Sequence, residues 1–259
     1  AEIAVADGPL FRPEEVLEAF RHQITPETRA VICNHVSNVF GFIQPVEEIA
    51  AICRSRKVPL IIDASQSAGI LPAFIAMPGH KGLYGPQGTG VLLCGGEVQV
   101  RTLLEGGTGS LSIQQEMPDF LPDRLEAGTH NMPGIAGLLA GVRFIRRRGV
   151  EKICQRERRL TLLAAEGLRT IPGVEVYAMP GLRNQAGVLS FTAKERDVEE
   201  IGMALAERDI AVRTGLHCAP LAHRSAGTLD SGTVRLSFSD FNTPEEVYRF
   251  LTALKRKLR

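Results

Sequence analysis

The sequence predicts an α/β protein in which a mainly parallel sheet is flanked by helices and is followed by a small α+β domain. Two apolar runs at residues 30–34 and 59–63 flank a helical pattern over residues 45–56, and this order indicates a βαβ unit. Both runs stay apolar until a polar last residue, which is typical of buried parallel strands whose carboxyl ends carry chemistry. With 259 residues and 44% hydrophobic content, the chain is long enough to bury a sizeable core.

The first part of the chain contains more strand patterns, and two helices connect it to the small domain. Further strands are predicted at residues 1–5, 74–77 and 90–94. Because a strand stands at its very start, the chain is expected to begin in mid-fold. The connecting helices are predicted over residues 133–148 and 151–170. We expect residues 1–145 to be the remainder of a large domain and residues 146–259 to be the small one.

The small domain is predicted to contain both strands and helices. Its strands are predicted at residues 174–177, 187–192, 211–213 and 234–237. One helix is predicted over residues 195–208, and a second opens at Thr243-Pro244-Glu245-Glu246. That tetrapeptide combines a capping box with proline at the first helical position, which favours a helix start at this point.

The link between the strands at residues 59–63 and 74–77 is short for a parallel pair. Only ten residues separate Asp63 from Phe74, whereas a parallel crossover takes about a dozen or more. Either the link is unusual or residues are missing, and the sequence favours missing residues near Ala73.

Composition excludes several classes of function. The formal net charge of +1 provides no global field for nucleic acid or an anionic membrane. The stretch without charge at residues 82–96 is interrupted by Pro86 and several glycines, so no membrane-spanning helix is predicted there. Five cysteines without a CxxC pair indicate reduced thiols and no structural zinc or other metal site. We expect a soluble, cytoplasmic protein.

One lysine stands out as a candidate nucleophile. Only six of the thirty basic residues are lysine, and Lys81 alone follows an apolar strand. Desolvation at that place would disfavour the ammonium form and leave an amine able to form a Schiff base. Asp63, at the end of another strand, is suited to keep a pyridinium nitrogen protonated. The alternatives are a lysine in a surface turn and an aspartate that caps the turn following its strand.

Several short motifs resemble the class V aminotransferase superfamily, and cysteine desulfurases in particular. The resemblance covers essentially the whole chain, and the motifs stand in the family's order. The three strongest are Asp63-Ala64-Ser65-Gln66, Gly79-His80-Lys81 and Arg213-Thr214-Gly215-Leu216-His217-Cys218. Supporting motifs are His35-Val36-Ser37-Asn38, Gly106-Gly107-Thr108-Gly109, Glu126-Ala127-Gly128-Thr129 and Arg235.

The resemblance implies the fold type I of PLP-dependent transferases and the cofactor pyridoxal 5'-phosphate (PLP). By that resemblance Lys81 forms the Schiff base and Asp63 pairs with the pyridine nitrogen. Gln66 and Asn38 approach the phenolic oxygen and the substrate, and His80 contacts the phosphate. The resemblance thus assigns five residues to the cofactor, and one of them, Asn38, also serves the substrate.

The resemblance also implies an assembly. Thr129 resembles a threonine that reaches the phosphate of the neighbouring subunit, and Thr108 is expected to line the same interface. A homodimer is therefore the expected active unit.

For the substrate, the resemblance implies L-cysteine held at its carboxylate by Arg235, with Arg213 as a second contact. A guanidinium suits that task because it binds a carboxylate in a bidentate manner. Cys218 is implied to receive sulfur as a persulfide for an acceptor protein, which requires an exposed thiol on a mobile segment, predicted at residues 214–221. His217 or His80 is expected to assist proton movement. On the residues alone, Arg235 and Arg213 also fit structural roles in strands.

The sequence departs from the family pattern at two places, and it leaves several rival functions open. Pro78 stands where family members usually carry a serine for the phosphate, and the family's amino-terminal cofactor-binding part has no counterpart before Ala1. The other four cysteines are expected in the core. The alternatives to a desulfurase are a selenocysteine lyase, a class V aminotransferase and a non-catalytic scaffold that binds a sulfur acceptor.

Overall fold

Two four-stranded sheets, each packed on helices, organise the protein. The structure is a computed structural model and describes residues 2–6, 8–67, 74–95, 100–107 and 109–258. The strands of the first sheet are β1 (Val31–Asn34), β2 (Leu60–Asp63), β3 (Phe74–Pro78) and β4 (Gly90–Leu93). They lie in the order β1-β2-β3-β4, with the first three parallel and β4 antiparallel to β3. The mainly parallel sheet is as predicted, while the suspected gap near Ala73 lies outside the described residues.

Three helices accompany the first sheet. They are α1 (Pro13–Gln23), α2 (Val46–Ser55) and α3 (Met132–Arg148). Helix α1 was not predicted, although Pro13 at its first position with Glu14 and Glu15 in its first turn is a recognisable start signal. The predicted strand at residues 1–5 is wrong, because residues 2–6 pair with no described strand and Ile3 is 87% exposed.

One face of the first sheet is open. Val31 and Cys33 of β1 and Ile62 of β2 pack with α2 and α3 in one core. Ile32 points to the opposite face and is 72% exposed. The described helices that contact the sheet all pack in the same core, on one side of it. The prediction that these strands are buried on both faces is therefore wrong for the described residues. Asp63 is exposed and belongs to the open face.

The second sheet is antiparallel throughout and has its own core. Its strands are β5 (Val174–Tyr177), β6 (Val188–Ala193), β7 (Arg213–Gly215) and β8 (Thr233–Ser237), in the order β5-β6-β8-β7. Its helices are α4 (Val150–Arg169), α5 (Val198–Ala206), α6 (Pro220–Ser225) and α7 (Pro244–Leu258). None of the helices in the described parts of the chain has the length and apolarity needed to cross a membrane.

Most predicted element boundaries of the second region are confirmed to within two residues. The strand predicted at residues 211–213 is an exception, because β7 shares only Arg213 with it, and helices α5 and α6 are further exceptions. The capping box forms as predicted, since the Thr243 backbone N–H donates to Glu246 Oε2 over 2.8 Å and Thr243 Oγ1 accepts from the Glu246 N–H over 3.4 Å. Helix α5 begins later than predicted because Asp197 is its N-cap and accepts from the N–H of Glu199 over 2.7 Å. Helix α6 was not predicted.

The segment after β1 joins the two sheets. Gln185 Nε2 donates to the backbone oxygen of Phe40 over 2.7 Å, and Ser190 Oγ donates to that of Val39 over 2.5 Å. The Phe40 ring is fully buried and lies 5.5 Å from the ring of Tyr177 in β5. Residues at the carboxyl edge of the first sheet are thereby fixed against the second region.

Candidate active site

The carboxyl edge of the first sheet carries one group of the predicted site residues. Asn34, Asp63 and Ala76 are in register on adjacent strands, so β1, β2 and β3 end at the same edge. The loops that leave this edge carry Asn38, Gln66 and the His80-Lys81 pair. These loops start from neighbouring strands and therefore leave the sheet at the same edge, which is where open α/β sheets bind their ligands.

Lys81 lies in a tight turn and is exposed. Its backbone oxygen accepts from the N–H of Tyr84 over 2.9 Å, and the Gly85 N–H donates to the Gly79 oxygen over 2.7 Å. His80 is exposed as well. The prediction of a desolvated amine is wrong for this structure, because the turn sits on the open surface of the sheet edge and leaves the Lys81 side chain in solvent.

The turn that carries Lys81 is nevertheless fixed by close packing. A Cβ atom added at Gly141 of α3 would lie 2.2 Å from the backbone oxygen of Leu83, so α3 approaches the turn as only glycine allows. The ring of Tyr84 lies 5.5 Å from that of Phe144 and 5.3 Å from that of Phe241. The backbone beneath Lys81 is therefore held by both regions of the protein.

Asp63 caps the turn after β2, which is the alternative that the sequence left open. Its Oδ1 atom accepts from the N–H of Ser65 over 2.9 Å and from the Ser65 hydroxyl. Among the described residues, Oδ2 of Asp63 accepts no hydrogen bond, so the carboxylate keeps an oxygen for a cationic N–H. Gln66, in the same turn, is half-buried.

The second group of site residues is built around two arginines. Arg213 of β7 and Arg235 of β8 are direct cross-strand partners. Arg235 is half-buried, its Nη1 donates to the backbone oxygen of Asn38 over 2.8 Å, and its buried Nε has no partner among the described residues. Burial lowers the pKa of Arg235, and the charge of Arg213 adds to the effect. Two guanidiniums this close together favour an anionic ligand such as a carboxylate.

Cys218 adjoins the arginine pair. Nη2 of Arg213 lies 3.6 Å from Cys218 Sγ in a geometry that donates a hydrogen bond, and the thiol is exposed as predicted. The loop is shorter than predicted, because Thr214 and Gly215 belong to β7 and Pro220 begins α6. The structure thus brings together Cys218, Arg213, Arg235 and Asn38.

Beneath Cys218 lies a buried pair of imidazoles that the sequence gave no reason to expect. His217 Nε2 is 3.0 Å from Thr233 Oγ1, and its backbone oxygen accepts from Asn38 Nδ2 over 2.7 Å. The rings of His217 and His223 lie 5.6 Å apart. Burial lowers the pKa of His217 to about 4, with the charges of Arg235 and Arg213 and the neighbouring His223 as further causes. Thr233 and His223 have no motif that marks them, since only folding brings them to this loop.

Two glycine-containing motifs contact each other. The Gly128 N–H donates to the Gly107 oxygen over 3.2 Å, and a Cβ atom at Gly107 would lie 2.8 Å from the Gly128 Cα. Thr129, which follows Gly128, is exposed. Thr108 lies outside the described residues.

The remaining cysteines are only partly as expected. Cys33 and Cys53 are buried, and burial raises the pKa of Cys33 to about 12, so these two thiols are core residues as predicted. For Cys94 and Cys154 the prediction of a core position is wrong. Cys94 follows the last strand of the sheet and is half-buried, while Cys154 lies on the solvent side of the amphipathic α4.

Comparison with known proteins identifies the family. The family model of class-V aminotransferases matches residues 12–250. The chain belongs to the aminotransferase class-V family. A curated relative from Methanothermobacter thermautotrophicus, named a probable cysteine desulfurase, is 36% identical over 256 residues, which is 93% of this chain and 62% of the relative. The chain therefore spans about three fifths of that relative's length.

Solved structures of family members agree in fold. The apo structure of the cysteine desulfurase from Thermococcus onnurineus has a TM-score of 0.82 and 32% identity, covering 99% of this chain and 65% of that one. A lysine-to-alanine mutant of C-DES, with glycine covalently linked to its PLP cofactor, has a TM-score of 0.73 and 27% identity, covering 92% and 63%. The predicted class V resemblance and type I fold are confirmed.

Proposed function

We propose that this class-V family member is a PLP-dependent cysteine desulfurase, which converts L-cysteine to L-alanine and transfers the sulfur to Cys218. The observation that carries the proposal is the contact between Arg213 and Cys218 Sγ beside the Arg235 partner. An exposed thiol next to two guanidiniums that can bind a carboxylate suits a substrate that has both a carboxylate and a sulfur atom. A transaminase would have no use for that thiol. The name of the curated relative supports the same reaction.

The residues at the sheet edge fit PLP chemically. Lys81 supplies an amine, the unengaged Oδ2 of Asp63 can accept from a protonated ring nitrogen, and Gln66 and His80 supply polar groups at the same edge. Thr129 and Thr108 are proposed to serve the phosphate of a neighbouring subunit. PLP, when bound, serves as an electron sink for the α-carbon of an amino acid. That C-DES carries PLP supports this assignment.

The chain's own residues account for substrate binding and proton movement. Arg235 binds the α-carboxylate of the substrate with its guanidinium, and Arg213 adds a second positive charge. Nζ of Lys81 moves the α-proton, and the exposed imidazole of His80 exchanges protons with solvent. Asn38 orients the substrate from the loop that Arg235 contacts.

The sulfur step balances without an oxidant. The Cys218 thiolate attacks the substrate sulfur, the carbon–sulfur bond breaks and a sulfur–sulfur bond forms. The carbon takes up a proton, so cysteine and a thiol become alanine and a persulfide. The terminal sulfur then passes to the thiol of an acceptor protein. The exposure of Cys218 supports this transfer.

The proposed assembly is a homodimer in the cytoplasm. Support comes from apolar side chains that stand in solvent close to the two glycine-containing motifs, with Leu103 95% and Ile113 96% exposed. Two separate cores support a domain boundary close to the predicted residue 145, since α3 ends and α4 begins at Gly149. The free cysteines support a reducing compartment.

The proposal is tested by product analysis on protein loaded with PLP. Incubation with L-cysteine should release alanine and leave a persulfide on Cys218. Lys81→Ala should abolish alanine release, and Cys218→Ala should abolish the persulfide. Cys154→Ala, at another exposed thiol, is the matched control and should change neither. Full activity of Cys218→Ala on L-cysteine would contradict the proposal, and selective activity on selenocysteine would favour a selenocysteine lyase.

A further inference from the structure

We infer that His217 is a positioning residue that holds Cys218 against Arg213, through its ring contact with Thr233 and its carbonyl contact with Asn38. This inference rests on the proposed function and narrows it. Of the two histidines considered for proton movement, His217 has a structural task. His80, which is exposed, remains as the proton carrier.

The first argument is the enclosure of the ring. His217 is 3% exposed, so its imidazole cannot reach a substrate bound at the surface. Nε2 contacts Thr233 Oγ1 at 3.0 Å, and Nδ1 is buried without a partner in the described structure. A proton carrier needs a path to the reacting atoms or to water, and this ring has neither.

The second argument is the backbone of the loop. His217 has a φ angle of +51° and Cys218 of +60°, in the left-handed region that side-chain-bearing residues rarely adopt. Such conformations persist only where surrounding contacts enforce them. The contacts here are the ring of His217 on Thr233 and the bond from Asn38 Nδ2 to the His217 oxygen, 2.7 Å long. Without them the loop would relax and the thiol would leave Arg213.

The third argument is charge. The groups that face the His217 ring are Arg213 from β7, Arg235 from β8 and His223 from α6, and all of them lower its pKa. No carboxylate is among these influences. Above pH 5 the ring is therefore neutral, and its role can be reproduced by a side chain that does not titrate.

The test uses two substitutions of His217 that differ in one contact. His217→Gln keeps an amide near the former Nε2 position and preserves the bond to Thr233, whereas His217→Ala removes it. Thr233→Val removes the same bond from the other side without leaving a large cavity, and it stands in if His217→Ala fails to fold. All variants carry Cys154→Ser, so that Cys218 is the exposed thiol that is followed.

The first readout is alkylation of Cys218 by neutral iodoacetamide, with and without Arg213→Gln. Arg213→Gln should change the alkylation rate about fivefold in the parent and in His217→Gln, because the guanidinium contacts Cys218 Sγ in both. In His217→Ala and Thr233→Val it should have no effect, since the thiol has already left the arginine. An equal effect of Arg213→Gln in all backgrounds would overturn the inference.

The second readout is persulfide formation with L-cysteine in PLP-loaded protein. His217→Ala should lower its rate about tenfold, and His217→Gln should restore it to within about twofold. If His217→Gln were as slow as His217→Ala, the imidazole would be required for protons and the inference would be wrong. If no variant forms a persulfide, the proposed function fails, while the alkylation result still decides the positioning role.

Discussion

The two halves of the site differ in how their side chains are held. At the edge of the first sheet, Asp63 and Lys81 are exposed on backbones that are rigidly placed. In the second region, Arg235 and His217 are embedded in hydrogen bonds to Asn38 and Thr233. Substitutions in the first half should therefore affect chemistry with little change in stability, whereas those in the second half should affect both.

The largest effect is expected at Asp63. Asp63→Asn keeps an oxygen for the Ser65 N–H and hydroxyl but removes the charge. We expect kcat for alanine formation to fall about 100-fold or more, by loss of electrostatic stabilisation. The free energy of unfolding should change by less than about 0.5 kcal/mol, because the site is exposed. Both are measured on the same preparations, by product assay and urea unfolding.

Ser65→Ala is the matched control for Asp63→Asn. It removes the hydrogen bond of the Ser65 hydroxyl to Asp63 and retains both the backbone N–H bond and the carboxylate, so it should cost some stability and leave kcat nearly unchanged. A loss of kcat in Ser65→Ala as large as that in Asp63→Asn would mean that the turn, and not the charge, carries the effect.

The next effect is expected at Arg235. Arg235→Lys retains the charge but loses the planar fork that contacts Asn38 and binds a carboxylate. We expect kcat/KM for L-cysteine to fall about 30-fold, mainly through KM, together with a loss of stability of about 1 kcal/mol. Steady-state kinetics and thermal unfolding measure the two. Arg213→Lys, at an exposed position, should lower kcat/KM less and leave stability unchanged. A larger loss of kcat/KM and of stability in Arg213→Lys than in Arg235→Lys would contradict this prediction.

Below neutral pH, the pH dependence of the free energy of unfolding should report the protonation of His217. Its pKa is lowered to about 4 in the fold, so the unfolded chain binds a proton first as the pH falls. The contribution of His217 to stability should therefore be constant above about pH 6.5 and decrease between about pH 6.5 and 4, by about 3 kcal/mol at most. Urea unfolding at several pH values measures it. In His217→Gln the loss should shrink by the His217 contribution, and the remainder comes from His35 and His223, whose pKa values burial also lowers. In His22→Gln, at an exposed histidine, the full loss should persist.

How much of this was readable in the sequence depends on the range of the interactions. The βαβ unit, the capping box at Thr243 and the motif around Lys81 follow from local patterns and were predicted. The open face at Ile32 was not, because an apolar strand does not tell which of its faces a helix will cover. The burial of His217 was not predicted either, since its partners Asn38 and Thr233 are distant in sequence.

The smallest effect is expected at Glu157 in α4, outside both halves. Burial raises the pKa of Glu157 to about 7, and the negative charge of Asp240 adds to it. In the described structure its side chain makes no ion pair, because Arg148 and Arg156 bind Asp240 instead. The folded state therefore keeps a proton that the unfolded chain has lost, and stability decreases as the pH rises from about 4.5 to 7.

Glu157→Gln should remove that decrease. The variant should match the parent at pH 4 and exceed its stability by about 1 kcal/mol at pH 8, a modest gain because the carboxyl is only half-buried. Glu166→Gln, an exposed carboxyl on the same helix, should give no such difference. Urea unfolding at the two pH values tests this prediction. Equal stability of Glu157→Gln and the parent at pH 8 would contradict it, because Glu157 would then be ionised at little cost in folding free energy. Destabilisation by buried charge would in that case be confined to Arg213 and Arg235.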